Sequence, residues 1–271
     1  MKATLRKSIL PFAVLFACAA AVGIGRLAQA AIQKRAHVTE VIRDVRLLSG
    51  QAASRPAVVN DAVNEGTAVR TGTDSRAELM FLDQTITRLG ANTVFSFGGA
   101  ARTYELGSGA ILMTAPRDAG TVKISTGVAA CAVSGFTGIW ESHSKFWNKV
   151  LILEGNGDVW LKRNPTDHRH MHSRQILIFP PNATVLPQPQ EFDVCKVINN
   201  GLLVTGFSHQ LPSSSLILAE CDRQRSQPSP NLIDPTSQNI IDQSINARPT
   251  PLPSAMPRPT IIPTGTRLGR P

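Results

Sequence analysis

Between residues 36 and 180 the apolar residues come in short alternating runs with no sustained 3.6-residue period, and small turn-forming residues interrupt them again and again. Ala77, Leu79 and Phe81 alternate with Glu78 and Met80. Phe95 and Phe97 fall on one strand face, as do Val122 and Ile124, while Val41, Val45 and Leu47 alternate only roughly with Arg43, Asp44 and Arg46. Turn chemistry stands at Thr71-Gly72-Thr73-Asp74, Gly90-Ala91-Asn92, Gly98-Gly99, Gly107-Ser108-Gly109 and Glu154-Gly155-Asn156-Gly157. A period of two with such punctuation predicts an all-β fold. The expected forms are a β-sandwich or a short solenoid-like sheet, although no fixed repeat period is present.

The flanking segments read differently. Lys2, Arg6 and Lys7 precede an apolar run from Ile9 to Ile24, Arg26 ends it, and Ala28-Gln29-Ala30 places small residues where a signal peptidase reads them. That order is the signature of a secretory signal over residues 1–30. The run of 16 residues is short for a membrane span of about 20. Two alternatives are an uncleaved anchor and a lipoprotein signal at Cys18, the latter disfavoured by the bulk of Phe16. After the β region (31–181), residues 182–224 read as an extension packed on it. The stretch around Pro181, Pro187 and Pro189 is an extended connector, and Phe192–Ile198 and Leu216–Cys221 have helix-compatible patterns separated by Pro212-Ser213-Ser214-Ser215. Residues 225–271 hold ten of the nineteen prolines and few large apolar side chains, which predicts a disordered, partly polyproline-like tail. Pro249-Thr250-Pro251-Leu252-Pro253 is a segment of the kind that docks on an aromatic groove, against the plainer reading of a solvated spacer.

Charge and cysteine usage narrow the function. The net charge of +9 belongs to the ends: residues 31–224 contain 19 cations and 17 acids. A nearly neutral middle lacks the clustered basic face that phosphate binding needs, so no nucleic-acid partner is expected. A hydrophobic fraction of 42% supplies a core, and a single Tyr argues against a Tyr-rich sugar or peptide surface. Cleavage after Ala30 leaves Cys131, Cys195 and Cys221. Cys131, in the apolar run Val128–Val133, reads as a buried small hydrophobe. Cys195 and Cys221 flank a Leu-rich segment and are the candidate disulfide, which export permits.

The strand region resembles the FecR domain, the extracytoplasmic module of envelope regulator proteins. The residues that carry the resemblance are Asn64-Glu65-Gly66, Val69-Arg70-Thr71-Gly72, Ser75-Arg76-Ala77-Glu78-Leu79 with Phe81, Arg88-Leu89-Gly90-Ala91-Asn92-Thr93, Leu106 with Gly109, Val133-Ser134-Gly135 and Leu153-Glu154-Gly155. Where the family usually shows Asp-Gly at a hairpin reversal, this chain has Asp83-Gln84, which implies a longer turn or one of another type. The resemblance implies a sensor-like fold. Regulators of this kind typically carry a cytoplasmic sigma-binding segment before a membrane span. The eight residues ahead of the apolar run do not hold one, so neither a sigma-factor role nor an iron-siderophore role is carried over.

Few constellations point to chemistry. On an extended strand His168, His170 and His172 share one face and are weak candidates for zinc, copper or nickel; the plainer reading of Asp167–His172, after the turn residues Asn164-Pro165-Thr166, is a polar hairpin loop. Glu141, Ser142 and His143 are too close in sequence to make a catalytic triad by themselves. No nucleophile elbow, zinc-protease, P-loop or dinucleotide motif occurs. Trp140, Trp147 and Trp160 form either a ligand platform or packing, the commoner use. No cofactor and no catalysis are expected. The expectation is a non-enzymatic binding or sensor-like module, periplasmic or secreted, that contacts an unknown protein or envelope ligand, with the membrane involved only if the N-terminal segment is left uncleaved. The alternative is a structural or scaffolding component of the envelope.

Overall fold

The computed structural model describes residues 35–50, 53–99 and 102–236. The expected signal, with Ala28 and Ala30, and most of the Pro-rich tail lie outside these residues. In chain order the strands are β1 (Arg35–Ile42), β2 (Val45–Ser49), β3 (Arg55–Pro56), β4 (Ala62–Asn64), β5 (Thr67–Thr71), β6 (Arg76–Phe81), β7 (Ile86–Leu89), β8 (Val94–Phe97), β9 (Thr103–Ala115), β10 (Val122–Ser125), β11 (Ala129–Val133), β12 (Phe136–His143), β13 (Trp147–Glu154), β14 (Asn156–Leu161), β15 (Asn164–His172), β16 (Gln175–Phe179) and β17 (Gln190–Glu191). Helices α1 (Val194–Asn200), α2 (Leu202–Thr205) and α3 (Ser214–Ser226) follow. The protein is mostly β, as the alternating runs predict.

The strands form two layers. Sheet I runs β4-β1-β6-β7-β9-β12-β13-β16-β17 and sheet II runs β3-β2-β5-β8-β9-β10-β11-β14-β15. Only β9 belongs to both. Its first half pairs with β8 and, in parallel, with β10; its second half pairs with β7 and β12. The chain is thus a meander of long strands, each bent from one sheet into the other, and every bend carries a residue at positive φ. These are Arg43, Asn60, Gly66, Asp74, Asn92, Gly109, Gly135, Gly155 and Arg174. Several glycines that read as hairpin reversals in the sequence are in fact at or beside these corners. The corners are stitched to one another: Gly72 N donates to Asp44 O (2.9 Å) and Asn92 N to Gly72 O (3.0 Å). The buried Thr71 hydroxyl donates to Gly90 O (2.5 Å) and accepts from Thr93 N (2.9 Å). Gly109 is required at its corner, because φ is +86° and a Cβ would run into Thr93.

The β6–β7 reversal answers the expectation raised by Asp83-Gln84. Gln84 occupies the left-handed conformation, φ 65°, that Gly would take in a tighter turn. Its N–H donates to Phe81 O (3.0 Å), and Asp83 Oδ1 accepts from Thr85 N (3.0 Å). The segment expected as a polar hairpin loop, 164–172, is instead the edge strand β15, paired with β14 over His168–His172 and, past a bulge, at Asn164. Alternation with a buried Met171 fixes it there, since Asp158 and Val159 supply partners on β14.

One core fills the space between the sheets, with Phe81, Phe95, Phe97 and Tyr104 packed ring on ring and Trp140 against Phe136. Sheet I has a second apolar face. Leu112, Ile139, Leu151, Leu153 and Ile176 point away from the first core and are buried by Val194, Val197, Leu203, Ile217 and Cys221 of the helices. The run Val150–Leu153 is therefore continuous rather than alternating, as a strand buried on both faces must be. The extension is more helical than the expected one or two short helices: α3 has 13 residues. It also continues past the expected tail boundary at Arg225, with buried Ile233 bridging to Phe192.

A buried ion pair fixes the extension. Arg88, fully buried on β7, donates to Glu78 Oε2 (2.8 Å), to the carbonyls of Leu203 (3.3 Å) and Val204 (3.0 Å), and to His209 O, and its guanidinium lies 4.4 Å from the Phe207 ring. Glu78 Oε1 also accepts from the Thr39 hydroxyl (2.7 Å). Removing one partner of such a pair strands a buried charge, so Arg88→Met should lower stability by about 3 kcal/mol or more in urea titration, far beyond the loss expected for an exposed Arg such as Arg43.

Candidate functional site

The β12–β13 hairpin reverses through Ser144–Phe146, closed by Phe146 N donating to His143 O (2.9 Å). Its tip leaves Phe146 68% exposed, an unusual place for a large apolar side chain. The next residue, Trp147, lines two clefts. One, of about 480 Å³, is bounded by Phe146, Ile178, Phe179, Val185, Pro187 and Gln190. The other, of about 400 Å³, is bounded by Ile139, Leu151, Leu202, Leu203 and Pro235, with Glu141 and Lys149 in its wall. Val185 and Leu202 are also largely exposed. Mostly apolar walls with a few polar groups are the usual make-up of a ligand site.

Charge is concentrated beneath Trp147. Lys149 Nζ lies 2.6 Å from Glu141 Oε1, donates to Pro235 O (3.1 Å) and sits 5.0 Å from the Trp147 ring. The His143 ring lies against Trp147, tilted by 56° with centroids 4.3 Å apart, and its Nε2 is 3.9 Å from Glu141. Burial pushes the Glu141 carboxyl up, but Lys149, helped by His143, outweighs it and holds the group below the usual carboxylate range. Glu141 is thus a paired anion, and the pair braces the hairpin and the end of the described chain at Pro235.

The residues singled out from sequence are scattered over the molecule. His168, His170 and His172 project from the exposed face of β15. His170 and His172 rings are 4.6 Å apart and His170 Nδ1 is 2.8 Å from Asp158 Oδ1. Yet among the described residues no three His, Cys, Asp or Glu side chains are grouped to hold a metal. Cys195 and Cys221 form a disulfide, Cα–Cα 5.1 Å, that joins α1 to α3. Cys131 is a buried free thiol, pushed up in pKa by burial. Trp140 is core; Trp160 is half-buried, with Lys123 5.9 Å from its ring; Trp147 alone of the three lines the clefts. Ser142 donates to Asn148 Oδ1 (3.1 Å) and not to His143. Sequence reasoning missed Glu78–Arg88 and Glu141–Lys149. The only sign of either was a charged residue inside an apolar alternation.

Residues 67–156 match the family model described as FecR protein. That segment, about a third of the chain, is similar to a FecR domain. It begins at β5 and ends as β14 opens, so it includes the whole β12–β13 hairpin; apart from Ala110, the other walls of both clefts come from residues beyond it. Two solved structures of candidate anti-sigma factors from Parabacteroides distasonis are similar to this chain. One has 16% identity over 58% of this chain and 73% of its own, and the other 17% over 66% and 89%, each with a TM-score of 0.43. Comparison with curated proteins finds no match.

The Glu141 pair makes a pH-dependent prediction. With its folded pKa depressed, Glu141 contributes stability that is complete above the ordinary carboxylate pKa of about 4.3 and is lost as pH falls through the lower folded value. Lys149→Met leaves a largely buried carboxylate with only His143 beside it. It should cost about 2–3 kcal/mol at pH 7, and the deficit should shrink toward pH 4.5 as Glu141 protonates, measured by urea unfolding at both pH values.

Proposed function

We propose that this FecR-domain chain is an exported, non-enzymatic binding module that engages an extended segment of another protein through the two clefts flanking Trp147. The observation that carries the reading is exposed Phe146 beside half-buried Trp147 at a hairpin tip between two apolar clefts. Exposed apolar surface beside preformed concavities is where protein partners insert side chains. Export is supported by the order of the signal-like residues 1–30 and by the Cys195–Cys221 disulfide. Among the described residues no helix is long and apolar enough to cross a membrane. The site has paired charges rather than a nucleophile with a base, which favours binding over catalysis.

The test is capture from intact envelopes by the full chain, comparing the unaltered protein with Phe146→Asp and Trp147→Ala. A stoichiometric partner lost at least about tenfold in both variants, at unchanged thermal stability, is the expected result, because centrally placed aromatic anchors carry most of an interface's energy. Equal capture by all three proteins contradicts the site. Co-purification with large assemblies regardless of these residues favours an envelope scaffold instead.

A further inference from the structure

We propose that the cleft bounded by Phe146, Trp147 and Phe179 is occupied in cis by the chain's own Pro249-Thr250-Pro251-Leu252-Pro253. The proposal rests on the reading of the Trp147 clefts as a site for an extended segment, and it names the first such segment to reach them.

The described chain ends beside Trp147. Pro235 and Thr236 are themselves walls of the cleft on the other side of Trp147. The exit is held there: Pro235 O accepts from Lys149 Nζ (3.1 Å), Asp234 Oδ2 binds Lys196 Nζ (2.7 Å), and Asp234 Oδ1 accepts from Thr236 N (3.0 Å) and its hydroxyl (2.7 Å). Residues 237–248 then separate this exit from Pro249, with no proline among them. A linker of that length reaches about 20 Å on average, enough to fold back across one Trp side chain.

The chemistry of groove and segment also agrees. Alternate prolines preset the polyproline II conformation and remove N–H groups that an apolar groove could not satisfy. Such a segment presents carbonyls, and the cleft's polar groups are the amides of Gln188 and Gln190, which can donate to them. Aromatic rings beside proline-lined walls, here Phe146, Trp147 and Phe179 with Pro180 and Pro187, are the surfaces on which proline rings pack. Docking covers Phe146 and Val185, which are otherwise exposed. Tethering supplies an effective concentration of order mM, so even a weak segment fills the site most of the time. A partner then binds only by displacing it.

The test uses the full chain with a benzophenone-bearing phenylalanine replacing Phe146. Light and heavy isotope copies are mixed before irradiation, and cross-linked peptides are identified by mass. The proposal expects cross-links from position 146 to residues 247–257 within one copy. The yield should fall at least about fivefold when Pro249, Pro251 and Pro253 are changed to Gly, a change outside the described residues. The same Gly variant should capture the envelope partner more strongly. Cross-links only between copies, none to the tail, or a yield indifferent to the Gly changes overturns it. If the tail cross-links are missing while Phe146-dependent capture persists, the cis occupant falls and the binding site stands. If both are missing, both readings fall.

Discussion

Sheet I is apolar on both faces, and most of what is distinctive in this protein follows from the need to bury the second one. The first face closes on sheet II, in the manner of any sandwich. The second, built from Leu112, Ile139, Leu151, Leu153 and Ile176, has no partner within the FecR segment. Leaving five such side chains in water would cost roughly 1.5–3 kcal/mol each, so the strands cannot be described without the helices that follow them. Arg88 marks where the apolar cover gives way to a polar one. It bridges Glu78 to the carbonyls at the end of α2, while Arg76 and Glu40 bind Gly206 and Ser208 alongside. The disulfide then holds α1 against α3, so the cover acts as one body.

The clefts are a consequence of that arrangement. A hairpin from the FecR segment projects beyond the sandwich, and the connector 180–190, α2 and Pro235–Thr236 pass on either side of it. Trp147 is left with an apolar surface on both flanks, and the Glu141–Lys149 pair beneath it fixes the hairpin's angle to the extension. The site is composite. Its floor belongs to the family segment and its walls to residues outside it, so the family alone does not determine what is bound.

The strand pattern was legible because alternation is local: Ala77, Leu79 and Phe81, or Phe95 and Phe97, reveal their faces without reference to any partner. The corners were not, because a residue at positive φ does the same thing to the backbone whether the strand turns back or passes to another sheet. Gly109 and Gly155 carry no mark of which they do. His168, His170 and His172 were correctly placed on one face if extended, yet the polar composition of 164–172 suggested a loop. Edge strands are polar for their own reason, since charge on an edge blocks association. The site itself was invisible because it depends on contacts between residues 147, 185, 202 and 235, and nothing in the sequence near Trp147 distinguishes it from Trp140. Cys195 and Cys221 were legible because they flank a Leu-rich segment and the expected export permits a disulfide.

The central claim is that the FecR strands and the C-terminal extension are one cooperative unit, because each buries what the other cannot. Native-state hydrogen exchange on the full chain tests it directly. The account predicts that amides of Val150–Leu153 in β13 and of Ile217–Cys221 in α3 exchange with the same opening free energy and the same denaturant dependence, since neither element survives exposure of the face they share. Fast exchange in α3 with β13 still fully protected would contradict it, and would make the extension an accessory resting on a sheet that is stable alone.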